Sequence, residues 1–199
     1  MFYRADEPHG LPHDPFKALV APRPIGWIST LSKAGVPNLA PYSFFNAICD
    51  HPKIVMFASW GMKDSALNAV DTGEFTFNFV PSAMQDAMNA SSKSLGPDED
   101  EFVFAGLEAV PGETVACPRV KGVPAALECK ALEPHTPTTL NGEPAAYTMI
   151  LGQVTGVFID DAFVDAGRFD LSKADPIMRA GYRDYMTAGG LFELKRPDD

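Results

Sequence analysis

Short runs of alternating apolar and polar residues, separated by proline and glycine, dominate the chain and predict strands more often than helices. The plainest is 75–79, where Phe75, Phe77 and Phe79 alternate with Thr76 and Asn78. Residues 25–31 are rich in β-branched and aromatic side chains and predict another strand. A turn at Ala34-Gly35 leads into a second arm, 39–48, so the two form a hairpin. Pro41 inside that arm, with Pro37 before it, places the arm at an edge or a bulge, where backbone groups stay free. Residues 53–59 form a continuous apolar run, a buried strand. Longer strands are predicted over 123–132 and 145–159. The second is apolar on both faces, which calls for a covering layer or a partner chain, and Gly152 and Gly156 permit a bend in it.

Helical signals are few. Residues 64–70 predict a short helix, with Asp64 or Ser65 as N-cap, Leu67 and Val70 on one face, and Gly73 closing it. Residues 82–90 predict a second, with Ala83, Met84, Ala87 and Met88 as its apolar face. Lys17 to Val20 reads as a short first strand. Residues 91–101, 111–118 and 134–144 read as loops. The sum is a mainly β barrel with a few short helices. The expected organisation is an arm over 1–16, one barrel domain over 17–165, and an extension over 166–199 packing on the barrel or on a partner subunit.

Composition narrows the classes. A chain of 199 residues with 46% hydrophobic content is ordinary for a packed domain, and a domain of that size buries roughly 70% of its unfolded surface without staples. A net charge of -10 argues against nucleic acid and anionic membrane as main partners. Three scattered cysteines without a CxxC favour a reducing compartment. With no signal-peptide pattern and no apolar stretch of spanning length, the expectation is a cytoplasmic protein. No metal site is expected. Gly10 and Pro12 break any helix that would pair His9 with His13, and Asp98-Glu99-Asp100-Glu101 reads as a solvated loop.

The candidate chemistry concentrates in residues 23–68. A phosphate needs a cation, hydroxyls and free N–H groups at a helix start, and Lys63 ahead of Asp64-Ser65 can supply all three. Ser29, Thr30, Ser43 and Asn46 offer polar groups from neighbouring strands to the edge of a flat ring; singly, each also reads as ordinary polar alternation. Phe44 and Phe45 read more often as core than as ring contacts. The combination suits a phosphorylated aromatic ligand on a sheet edge. There is no Gly-rich dinucleotide fingerprint, P-loop, Gly-x-Ser-x-Gly or His-Glu-x-x-His. Cys49 and His51 could share a strand face, but Pro52 points to a turn and a buried structural cysteine is the expectation.

Three segments carry a family resemblance: Arg23-Pro24 through Gly26-Trp27-Ile28-Ser29-Thr30, Asn38 through Asn46, and Lys63-Asp64 through Asn68, continued by Gly73-Glu74-Phe75 and Asn78. Together they resemble the flavin reductase-like family with the FMN-binding split barrel. The likeness implies a Greek-key split β-barrel, usually a homodimer, that binds FMN and reacts with NADH or NADPH. By the same likeness the cofactor-binding candidates are Arg23, Ser29, Thr30, Ser43, Phe44, Phe45, Asn46, Lys63 and Ser65, with the lysine segment near the phosphate. Many relatives carry threonine where this chain has Ser65, so the hydroxyl is kept. The tail, with Arg179, Tyr182, Arg183 and Tyr185, only partly resembles a Gly-Gly-x-Tyr segment of relatives. The implied activity is hydride transfer from NAD(P)H through FMN to a flavin or another acceptor. The flavin carries the chemistry, so no catalytic side chain is singled out. The alternatives are an FMN electron carrier reduced by another protein, and a flavin- or haem-binding sensor without turnover.

Overall fold

A computed structural model describes residues 1–96 and 98–197. Pro97, inside the polar 91–101 run, and residues 198–199, at the end of the expected extension, lie outside them. The first regular element is α1 (Phe16–Leu19), followed by β1 (Arg23–Pro24), β2 (Gly26–Leu31), β3 (Pro37–Tyr42), β4 (Phe45–Cys49) and β5 (Ile54–Trp60). Then come α2 (Asp64–Thr72), β6 (Glu74–Asn78), α3 (Gln85–Ala90), α4 (Glu101–Phe104) and the short pair β7 (Ala109–Val110) and β8 (Arg119–Val120). The long strands β9 (Ala125–Ala131) and β10 (Tyr147–Ile159) precede a second short pair, β11 (Val164–Asp165) and β12 (Arg168–Phe169). The chain closes with α5 (Leu171–Ala174), β13 (Ile177–Gly181) and β14 (Asp184–Thr187).

Seven strands form one antiparallel sheet in the order β3-β2-β6-β9-β10-β5-β4. The sheet curls into a split barrel. Phe45 of the β4 edge stacks on Phe77 of β6, with ring centroids 4.5 Å apart and planes 10° apart. A Cβ on Gly26 would lie 2.5 Å from the same Phe45 ring, so only glycine lets β2 and the β4 edge approach this closely. The barrel interior holds Ile28, Phe57, Phe75 and Ile150, all fully buried. A second core, on the other face of the sheet, gathers Trp27, Leu39, Met88, Phe102 and Val123. Strands buried on both faces explain why β6 carries Phe75 on one side and the equally buried Thr76 and Asn78 on the other. Asn78 uses its whole amide: it donates to Trp27 O and Ser29 Oγ, and accepts from Val120 N at 2.8 Å.

Several expectations need correction. Residues 17–20 are not a strand but lie in and beside a helical turn, because the Arg23 guanidinium gathers the carbonyls of Lys17 and Val20. The arm 39–48 is two strands: β3 pairs with β2, whereas β4 lies at the opposite sheet edge beside β5, with Ser43-Phe44 as the crossing. In α2 the N-cap position is Lys63, with no side-chain cap, and the buried face is Ser65, Ala66 and Ala69. Leu67 and Val70 are exposed. Only small residues let this helix lie close on the barrel wall. Gly73 does close it, in the left-handed conformation, donating to Ala69 O.

The helix over 82–90 is a 3₁₀ turn followed by α3, with Met88 buried and Ala83 exposed. Within the acidic run, Asp100 caps α4 and Glu101 is buried at 5% exposure, not solvated. Cys49 is exposed, whereas Cys117 and Cys129 are buried, and burial pushes both of those thiols up to about 12. In β10, Ile150 and Gly152 face the core, while Val157 and Ile159 on the outer side are exposed in the single chain. The tail returns to the barrel: β13 pairs with β1, setting Arg179 opposite Arg23, and with β14 on its other side. No helix among the described residues is long and apolar enough to cross a membrane.

Candidate functional site

The site forms where the β2–β3 hairpin, the β3–β4 crossing and the start of α2 meet. Lys63 has extended backbone and no side chain caps the helix, so the first N–H groups of α2 lack a capping partner. Lys63 is itself exposed and makes no ion pair among the described residues. Behind it a buried polar chain fixes the helix start. Ser65 Oγ donates to Asn38 Oδ1 at 2.7 Å, and Thr30 Oγ1 donates to the same oxygen at 3.3 Å. Asn68 Nδ2 donates to Thr30 Oγ1 at 3.2 Å. Asn38 Nδ2 and Leu39 N both donate to Glu101 Oε2, at 3.1 and 3.2 Å. The chain thus ties β2, β3, α2 and α4 into one unit. Burial raises the Glu101 carboxyl above the usual carboxylate range, against the lowering effect of these N–H groups. Burial also pushes the Tyr42 phenol up, partly offset by the Ser65 and Ser59 hydroxyls beside it.

Two clefts open on this unit. One, of about 320 Å³, is bordered by Asn38, Tyr42, Lys63, Ser65 and Glu101 and by the 91–95 segment. That segment is anchored by the Trp27 indole, which donates to Ser91 Oγ at 2.9 Å. The other, of about 210 Å³, is bordered by Ser43, Phe44, Trp60 and Tyr147, with Lys17 at its mouth. Pro41, Tyr42 and Lys63 border both, so the clefts adjoin. Phe44 packs on Tyr147 with centroids 5.2 Å apart, and the Arg23 guanidinium lies 5.8 Å from the Phe44 ring. Arg23 is 7% exposed, and burial and then the Arg179 charge pull it down from its ordinary value.

The structure therefore brings Ser43, Phe44, Lys63 and Ser65 to adjoining clefts, with Thr30 one hydrogen bond behind and Arg23 beside Phe44. It does not bring the rest there. Ser29 is fully buried, donating to Pro118 O and accepting from Asn78. Phe45 is inside the barrel, stacked on Phe77. Asn46 is exposed on the far-edge strand, with its side-chain oxygen on Ala47 N at 2.9 Å. The sequence reading missed Asn38, Tyr42, Glu101 and the Ser91–Leu95 segment. Asn38 and Tyr42 lie within the quoted segments. Glu101 is masked by the acidic run before it, and its one local signal is the adjoining Phe102.

Residues 19–170 match the family described as Flavin reductase like domain. The chain belongs to this flavin reductase-like family. An uncharacterised protein of Halalkalibacterium halodurans is 37% identical over 183 residues, covering 89% of this chain and 87% of that protein. Among solved structures, nitrilotriacetate monooxygenase component B from Bacillus cereus superposes with a TM-score of 0.85 at 27% identity, covering 98% of this chain and 100% of the other. An FMN-binding protein from Thermus thermophilus shares the fold, with a TM-score of 0.77 at 18% identity and 98% and 99% coverage. In this flavin reductase-like chain the family segments supply the start of α2 and the shared Pro41, Tyr42 and Lys63, while Ser91–Leu95 and Glu101 of one cleft and Lys17, Trp60 and Tyr147 of the other come from outside them.

Proposed function

We propose that the adjoining clefts bind FMN and that the chain is an oxidoreductase passing a hydride from NADH or NADPH through that flavin to a second flavin or another acceptor. The observation that carries the reading is Lys63, without an ion pair among the described residues, at an uncapped helix start and shared by a polar cleft and an aromatic one. The donors present fit a dianionic phosphate: the Lys63 ammonium, the N–H groups of the first turn of α2, and Lys93 with the hydroxyl of Ser94, the Ser92 hydroxyl being already donated to Asn89 O. Ser65 contributes its N–H, since its hydroxyl is already donated to Asn38. Asp64 and Glu101 border the same cleft, and one oxygen of Glu101 is already engaged by Asn38 Nδ2 and Leu39 N, which offsets its charge toward an anion. Ser43, Tyr42 and Phe44 form the wall suited to a flat ring. An FMN held there supplies the ring that accepts hydride and releases electrons.

The chain's own part is to hold, orient and shield. Thr30 and Asn38 keep Ser65 and the helix start in place, and the aromatic wall excludes water from one face of the ring. Charge at the helix start offsets charge on the ligand. A homodimer is part of the proposal. It is supported by an apolar groove of about 430 Å³ between β4, β5, β9 and β10 that includes Ala47, Ile48, Val55, Leu127 and Val154, and by exposed Val157 and Ile159 nearby on β10. The experiment is anaerobic stopped-flow mixing of FMN-loaded protein with NADH and with NADPH. Bleaching of the flavin absorbance with at least one of them is expected. Bleaching with neither would refute hydride transfer from nicotinamide and leave the electron-carrier alternative.

A further inference from the structure

The aromatic cleft has a charge pattern that FMN binding does not use up. Lys17 borders it beside Lys63, which the flavin phosphate would engage, and among the described residues none that borders it is acidic. Lys17 Nζ lies 6.0 Å from the Phe44 ring centroid, and the Arg23 guanidinium lies 5.8 Å from the same centroid. None of the three cations forms an ion pair among the described residues, and Arg23 Nε is buried without a hydrogen-bond partner. This cluster sits in a chain of net charge -10, where an anion meets repulsion over most of the surface. Beside the cations, Trp60 is 66% exposed and Tyr147 half-buried, so a flat surface is offered to solvent next to positive charge. Exposed aromatic faces with cations at their rim bind flat ligands that carry a negative group, the ring by stacking and the anion by Coulomb attraction.

We propose that the Lys17–Trp60–Tyr147 side of this cleft is the binding site for the second ligand of the reaction, an electron acceptor with a flat ring bearing a carboxylate, sulfonate or phosphate. That the ligand is an acceptor rests on the flavin reading above; the site's preference for a flat anion does not. Lys17 is the specificity-determining residue. Its side chain is exposed, and its contribution to the fold is its backbone carbonyl, which receives Arg23 and is present in any variant.

The chain has two tryptophans, of which Trp27 is fully buried and Trp60 borders the cleft, so quenching of tryptophan fluorescence reports on this site. The probes are anthraquinone-2-sulfonate and its uncharged counterpart 2-(hydroxymethyl)anthraquinone, titrated at low salt into flavin-free and FMN-loaded protein. The sulfonate is expected to bind about tenfold tighter than the alcohol in both forms, the order for one weakly screened charge contact near a protein surface. Lys17→Gln should bring the two probes to within about twofold of each other, whereas Lys17→Arg keeps the preference. Trp60→Phe should remove the signal. Equal binding of the two probes overturns the proposal, as does a preference unchanged in Lys17→Gln. Loss of sulfonate binding once FMN is loaded also overturns it, because the cleft would then be the flavin's alone. A protein that takes up no FMN would sink the flavin reading, and the flavin-free titration would still decide the preference for anions.

Discussion

Removing the Glu101 carboxyl tests the buried chain that fixes the start of α2. One oxygen of Glu101 receives Asn38 Nδ2 and Leu39 N, and Asn38 and Leu39 are 8% and 0% exposed. Glu101→Ala leaves both donors buried without a partner, at about 1–3 kcal/mol each. The Asn38 amide borders the cleft and can find water, so the sum falls at about 2–4 kcal/mol. Glu101→Gln keeps an acceptor oxygen and removes a buried charge, so it should cost under about 1 kcal/mol at neutral pH. Urea denaturation with a constant m value measures both. The pH dependence has a definite sign. Burial raises the Glu101 carboxyl, so the folded state holds this proton more tightly than the unfolded chain. Wild-type stability therefore falls relative to Glu101→Gln as pH rises through the carboxylate range, and rises relative to it as pH is lowered. An alanine variant within about 0.5 kcal/mol of wild type, the range of ordinary surface substitutions, would refute the reasoning. So would a glutamine variant as damaged as the alanine one.

Gly152→Ala places a Cβ 2.3 Å from the Phe75 ring, and Phe75 is fully buried among the barrel strands, so a loss of about 1–3 kcal/mol in thermal or urea unfolding is expected. Glu128 receives Glu113 N at 2.8 Å and the Thr114 hydroxyl at 2.7 Å, together with Thr114 N. Burial pushes its carboxyl up, but these donors outweigh burial and hold it below its ordinary value of 4.5. Its stabilisation is present above that value and is lost as pH falls through the lower, folded one. Glu128→Gln should thus flatten the acid limb of the stability profile, measured by urea unfolding below about pH 5. Ser65→Ala deprives Asn38 Oδ1 of its 2.7 Å partner and should weaken FMN several-fold while costing about 1 kcal/mol of stability, whereas Ser65→Thr keeps the bond.

Much of the barrel is legible in the sequence because its strands obey a period of two. Phe75 and Phe77 both reach the barrel interior, as alternation requires. What local pattern cannot show is which strand lies beside which. Residues 39–48 read as one arm because nothing in Tyr42-Ser43-Phe44 signals that the chain crosses from one sheet edge to the other. Periodicity also misassigned α2, where Ala66 and Ala69 face the core and Leu67 and Val70 do not; close approach to the sheet selects size over hydrophobicity. Around the clefts, Lys63 and Ser65 stand out by residue type and spacing at a helix start, whereas Ser43 and Phe44 read singly as polar alternation and core and are picked out only with the family resemblance. Ser29 was not separable from them, because a buried hydroxyl that serves the backbone looks the same in sequence as one that serves a ligand. Glu101 was hidden for the opposite reason: three acidic neighbours suggest solvent, yet the next residue, Phe102, draws it into the core.

The most direct test of the account is a fluorescence titration of FMN into flavin-free wild-type protein and into Lys63→Ala. Saturable one-to-one binding is expected for the wild type. The lysine variant should bind more weakly by about 1.5–3 kcal/mol, or roughly 10- to 150-fold, the scale of one charge-assisted hydrogen bond. A wild-type chain that does not bind FMN, or a Lys63→Ala variant that binds it as tightly as the wild type, would contradict a phosphate held at the start of α2.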